Sequence, residues 1–408
     1  MNRATTVYTA QAPDLFSAKK FLRINSIDLL RGLIMIIMAL DHTRDFFHTD
    51  AWTHDPLDLS TTTPLLYFTR WITHFCAPIF VFLAGASIYF QSMRKTKKEL
   101  SVFLIKRGFW LLFVEIFIVN LEFTFDIRFG FVALQVIWAI GISMIILGFA
   151  IWLPYMAFII AGVVIVFGHN LLDFYEAGLA QSPGWWYDLL HRPGIYTLWH
   201  NRQLFIFYPF LPWCGLMMLG YCFGKLFLRF EGNHRKKMLM WLGCTVLLFF
   251  VVLRYSNIYG NPDKWVTQKT GLYTFFAFMN VQKYPPSLLF MCATVGCALL
   301  FLAFTDKANN RLSRFITVYG RVPFLYYVLH FFLIHLISAC LFFTRGHSFE
   351  EGIHDDSTIT PNFIIPGEGY SLGIIYLLWI GIVLCLYPVC KWFSEYKRTH
   401  KDWWLSYL

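Results

Sequence analysis

The chain has 408 residues, 57% of them hydrophobic and 14% charged, with a mean hydropathy of +0.54 and a formal net charge of +10. Soluble domains carry roughly 25% charged residues, so these figures exclude an ordinary soluble protein, a disordered chain and a small disulfide scaffold. A membrane-spanning helix uses about 20 apolar residues, and ten of them would take about half the chain.

In chain order, apolar stretches near 27–47, 68–92, 102–120, 131–151, 154–172, 205–229, 238–254, 285–305, 317–343 and 372–393 predict about ten transmembrane helices. The fold class is all-α, a polytopic helical bundle over 23–395 with a tail of 1–22 before it and 396–408 after it. The stretches lack the period-two alternation of barrel strands. Basic residues sit on alternate connections: Arg3, Lys19, Lys20 and Arg23 before the first span, Arg94 to Lys98 with Lys106 and Arg107 around the second connection, and Lys391 to Lys401 at the end. The positive-inside rule then places both termini in the cytoplasm. Acidic residues, Asp355 and Asp356 among them, collect on the opposite face. The net charge is thus a topology signal, and nucleic acid is not an expected partner; the lipid bilayer is. The residues before the first span are too polar for a cleavable signal peptide, which makes that span a retained anchor. The nine cysteines fall in or beside spans and form no CxxC motif, and no HExxH, P-loop or GxGxxG pattern occurs, so no metal site is expected.

Ionisable groups inside spans are costly and mark function by default. The first span, Ser26-Ile-Asp-Leu-Leu-Arg-Gly-Leu-Ile-Met-Ile-Ile-Met-Ala-Leu-Asp-His-Thr-Arg-Asp45, carries the densest set. Helical geometry puts Arg31 and His42 within roughly 20° of one face and about 16 Å apart along the axis, with Asp28 and Asp45 near the same stripe. The competing reading is that Asp28 and Arg31 snorkel at one edge while His42 and Asp45 sit among headgroups.

Arg31-Gly32 in the register Arg-x10-His resembles the first helix of the membrane acyltransferases that modify glycans. With Phe75-Cys-Ala-Pro-Ile-Phe-Val-Phe-Leu-Ala-Gly-Ala-Ser87, Lys106-Arg-Gly108, Pro212-Trp-Cys-Gly-Leu-Met-Met-Leu-Gly-Tyr221 and Tyr319-Gly-Arg-Val-Pro-Phe-Leu-Tyr-Tyr-Val-Leu-His330, the chain resembles the bacterial branch of the heparan-alpha-glucosaminide N-acetyltransferase catalytic-domain family. The resemblance implies a multi-pass protein of the bacterial inner membrane that moves an acetyl or other acyl group from cytoplasmic acetyl-CoA to a glycan or amino-sugar acceptor on the outer side; it leaves a homodimer open. One departure matters. The lysosomal branch has Asn at the position of His42 and its catalytic histidine in the loop after span one, where this chain carries His48 and His54.

Acyl transfer needs a general base or a histidine nucleophile, so the catalytic candidates are His42, His48 and His54. Asp45, one turn on, is the preferred carboxylate partner of His42, and Asp41 is the alternative. Arg31, Lys106, Arg107 and Arg321 are candidates for the CoA phosphates, with Asp28 beside Arg31; Lys106 and Arg107 also read as ordinary positive-inside anchors. Arg44, His74, which with Arg70 could face His42, and His330 complete the binding candidates. Trp185, Trp186, Tyr187, Trp199, His200, Arg202 and Tyr208 form either an interfacial girdle or a platform for sugar rings. The alternative function is a secondary transporter, since charged intramembrane residues also mark transport pathways.

Overall fold

The computed structural model describes residues 24–354 and 359–407. Arg3, Lys19, Lys20, Arg23, Asp355, Asp356 and the tail over 1–22 therefore lie outside the described residues. The order of elements is α1 Asn25–Phe47, α2 Pro64–Thr73, α3 Cys76–Ser92, α4 Lys97–Phe113, α5 Asn120–Thr124, β1 Phe131–Leu134, α6 Val136–Ala150, α7 Tyr155–Gly168, α8 Leu171–Glu176, α9 Trp185–Leu190, β2 Gly194–Thr197, β3 Gln203–Ile206, α10 Phe210–Arg229, α11 Gly232–Ser256, α12 Gly271–Met279, α13 Leu288–Thr305, α14 Arg311–Arg321, α15 Pro323–Thr344 and α16 Leu372–Thr399. A π-helical stretch, Val114–Val119, joins α4 to α5.

The chain is predominantly helical, and each of the ten apolar stretches contains helix. Among the described residues, six helical segments are long and apolar enough to cross a membrane: Pro64–Ser92, Phe210–Arg229, Gly232–Ser256, Leu288–Thr305, Pro323–Thr344 and Leu372–Thr399. The all-α expectation needs one amendment. A small sheet, ordered β1-β3-β2, pairs β1 with β3 in parallel and β2 with β3 antiparallel. The strand β1, Phe-Val-Ala-Leu, is as apolar as the span beside it, so hydropathy alone merges it into the span that follows. Two predicted spans are also subdivided. The second turns at His74 and Phe75 between α2 and α3, and the ninth breaks at Val322, where Pro323 cannot continue the hydrogen-bond ladder of α14 and opens α15 instead.

Helix α1 is the centre of the bundle, packed by α2, α3, α13, α14, α15 and α16. Gly32 makes this possible: a Cβ there would collide with the Ile316 carbonyl, and one at Gly320 would collide with the Asp28 carbonyl. The backbones of α1 and α14 therefore touch, as small residues allow in membrane helix pairs, and Arg31 donates to the Gly320 carbonyl at 3.4 Å. Buried polar groups tie down the other walls. Glu115, fully buried in the π-helical stretch, accepts from the backbone N–H groups of Gln135 (3.1 Å) and Trp138 (3.2 Å), fixing a carboxylate at the N-terminus of α6.

Beyond α15, His347 stacks on Phe342 and hydrogen-bonds Glu351 and Glu368, each at 2.9 Å. These two carboxylates raise its pKa above the usual histidine value. A raised histidine contributes stability that is fully present below its unfolded value of about 6.5 and is lost as pH rises through the folded value. Hydrogen-exchange protection of 346–353 should thus fall as pH rises past that window in the wild type, and show no such step in His347→Gln. An identical pH response in both proteins would refute this.

Candidate active site

Two cavities lie along α1. The first, about 270 Å³, opens at the C-terminal end of α1 and is lined by Asp41, His42, Arg44, Asp45, Trp52, Arg70, Tyr208, Lys283, Tyr284 and Tyr327, among others. The second, about 420 Å³, lies toward the N-terminal end of α1 and is lined by Arg31, Ser87, Lys95, Arg107, Arg321 and Lys397 together with apolar residues. Phe80 of α3 and Ile137 of α6 line both. The two spaces thus neighbour each other across that pair, one basic and the other built around a histidine.

His42 is held from α15. Its ring lies 4.1 Å from Phe331 and 5.3 Å from His330, centre to centre. His330 is fully buried and its Nδ1 lies 3.0 Å from the Tyr326 carbonyl. A carbonyl only accepts, so Nδ1 carries the proton and Nε2 is left with its lone pair; that Nε2 has no partner among the described residues. His335, further along α15, differs: its ring nitrogens face the carbonyls of Glu122 (2.8 Å) and Asn362 (2.9 Å), and it stacks on Phe125.

The carboxylates are arranged differently from the sequence expectation. Asp41, the alternative carboxylate, lines the same cavity as His42 and Asp45. Both its oxygens accept from one Arg70 nitrogen, at 2.8 and 2.6 Å, and Arg44 reaches it at 2.9 Å. Asp45 pairs with Arg44 instead, and its carbonyl accepts from the Trp52 indole at 2.8 Å. Neither carboxylate is hydrogen-bonded to His42 among the described residues. Removing one member of such a buried pair typically costs about 3–5 kcal/mol, because the other is left uncompensated.

The remaining candidates separate by position. His48, at the C-cap of α1, accepts from the Asp50 N–H at 3.1 Å, and His54 is exposed in the following loop; neither lines the cavity. Burial lowers the His48 pKa below the usual histidine value. His74 is buried against Phe290 outside the cavity lining. At the basic end, Arg31 bonds Asp28 (3.2 Å) and Ser87 (2.9 Å). Arg107 and Arg321 join it, whereas Lys106 is exposed on another face of α4. Of the outer aromatics, Tyr208 reaches the histidine cavity, while Trp185, Trp186 and Trp199 are exposed.

Lys283, Tyr284 and Tyr327 were not among the sequence-derived site residues at the histidine end, nor Lys95 and Lys397 at the basic end. Arg70, named beside His74 as able to face His42, lines the cavity without it. The sheet explains Tyr208: the N–H groups of Phe207 and Tyr208 bond the Leu134 carbonyl at 3.2 and 3.0 Å, which sets the ends of β1 and β3 into the cavity wall. Elsewhere, Asp173, Glu176 and His191 bring their ligand atoms within 4.8 Å of one another, one group that could hold a metal ion and that motif spacing did not reveal. There His191 already hydrogen-bonds Glu176 at 2.6 Å.

Long apolar helices around a buried, charged site define an integral membrane protein with an enzyme-like interior. The family model described as "Heparan-alpha-glucosaminide N-acetyltransferase, catalytic" matches residues 23–254, more than half of the chain, and the protein belongs to that family. Membership implies an acetyltransferase. No curated protein matches the chain.

Proposed function

We propose that the protein transfers an acetyl or other acyl group from cytoplasmic acyl-CoA to an amine or hydroxyl of a sugar on the far side of the membrane, through about ten spans with both termini in the cytoplasm. The observation that carries this is the pair of neighbouring cavities that share Phe80 and Ile137, one basic and the other holding His42. CoA phosphates bind Arg31, Arg107 and Arg321, with Lys95 and Lys397 beside them, and Asp28 orients Arg31. The pantetheine arm passes Phe80 toward His42, about 16 Å along α1 from Arg31. Lys106 serves as a surface anchor instead.

At the histidine end, neutral His42 takes the proton of the acceptor N–H or O–H as that atom attacks the thioester carbon. The C–S bond breaks, and the leaving CoA thiolate recovers the proton from the imidazolium. Asp41 and Asp45 provide the negative charge that favours the transient cation, Arg44 and Arg70 hold those carboxylates in place, and His330 positions the His42 ring.

Purified protein incubated with radiolabelled acetyl-CoA and a panel of amino sugars should yield labelled sugar. Label that never leaves acetyl-CoA, together with solute uptake by proteoliposomes, would favour a transporter instead. A reporter fused after Leu408 should be active in the cytoplasm.

A further inference from the structure

We infer that the histidine-end cavity recognises an anionic group on the acceptor, with Lys283 as the residue that binds it; this rests on the transfer reading for where the acceptor sits. Lys283 lies in the turn between α12 and α13, backbone-paired with Pro286. It is 8% exposed and lines the cavity. Its ammonium stands 5.1 Å from the centre of the Tyr284 ring, and it makes no hydrogen bond or ion pair with any described residue.

Lys283 acts on Asp41 through space, but no neighbouring carboxylate among the described residues holds it by a hydrogen bond or ion pair. Asp41 is engaged by Arg70 and Arg44, and Asp45 by Arg44. Asp55, exposed at the rim, accepts from the Leu57 N–H at 2.9 Å. A second observation points the same way: Arg44, 3% exposed and on the same cavity, has its Nη1 buried with no hydrogen-bond partner among the described residues. One cavity thus holds two cationic donors, the Lys283 ammonium and Arg44 Nη1, that no acceptor among the described residues takes up.

Burying an ammonium that no hydrogen bond satisfies is costly. Such an arrangement persists where a ligand supplies the missing acceptors, and charge-assisted bonds to carboxylate, phosphate or sulfate are about twice as strong as neutral ones. The acceptor is accordingly an acidic sugar, its anion on Lys283 and the free Arg44 nitrogen, and its amine or hydroxyl turned to His42. A neutral sugar leaves both donors unmatched, the kind of loss that sets specificity.

The test is calorimetric titration of the full-length detergent-purified protein with glucosamine, glucosamine 6-phosphate and muramic acid, a carboxylate-bearing amino sugar. We expect at least one of the two acidic sugars to bind about 30-fold or more tightly than glucosamine, the lower end for a buried charge pair. The phosphate and carboxylate arms identify the anion. Lys283→Gln should remove the preference and Lys283→Arg should keep most of it, with acetyl-CoA binding and thermal melting as checks on folding. If Lys283→Gln does not fold, Lys283→Met, which keeps the apolar stem, is read in its place. Equal wild-type affinity for all three sugars, no binding of any of them, or equal weakening of all three by the Lys283 variant would each overturn the proposal. Lys283-dependent binding of an acidic sugar without acetyl transfer to any sugar would instead leave the anion site standing and refute the transfer reading.

Discussion

His42→Ala is expected to lower acetyl transfer by about 10²–10⁴-fold, the usual contribution of a positioned general base, while acetyl-CoA binding at the basic end persists. The loss should appear in kcat, because the side chain acts on the acceptor proton and makes no contact at the basic cavity. His48→Ala and His54→Ala should retain activity within about twofold, since neither side chain lines the cavity; His54 is exposed, where changes have small effects, and for the half-buried His48 a melting curve accompanies the assay. A large loss in His54→Ala with an active His42→Ala would move the chemistry from the cavity to the loop after α1. His330→Gln is the companion variant. It keeps a polar group beside Tyr326 but not the imidazole geometry, and for a positioning residue it should change kcat and its pH profile more than the KM for acetyl-CoA.

What the sequence disclosed about this site lies almost entirely on one helix. Arg31 and His42 share a face of α1, so spacing alone put them at the two ends of one path. Contacts between elements were less legible. Which carboxylate Arg70 engages depends on α2, which brings it across to Asp41, and no periodicity within α1 encodes that. Lys106 and Arg107 are adjacent in sequence but about 100° apart around α4. Only the packing of α4 decides that Arg107 faces the cavity. Lys283 reaches the site through the turn before α13, whose position depends on the fold of the whole bundle. The glycines are the instructive intermediate case. Gly32 and Gly320 stood out as motif residues, and the structure gives their physical reason in the contact of two helix backbones.

The narrow point at Phe80 carries the second large expectation. Phe80 and Ile137 line both cavities, so the proposed route of an acyl group from CoA at the basic end to His42 runs past these two side chains. Phe80→Trp should leave acetyl-CoA binding close to wild type, because the basic residues are untouched, yet lower transfer by about 10²-fold, the scale on which a misplaced reacting group loses rate. Overpacking costs typically about 1–3 kcal/mol, so a melting curve must accompany the assay. Phe80→Ala should act in the opposite sense. A wider passage admits water to the thioester, and release of CoA without acceptor should rise relative to transfer. Measured together, binding, transfer and acceptor-free CoA release separate a passage from a merely packed core. Wild-type transfer in Phe80→Trp would mean that the acyl group reaches the acceptor by another route, whereas parallel loss of CoA binding and transfer would mean that Phe80 supports the donor cavity itself.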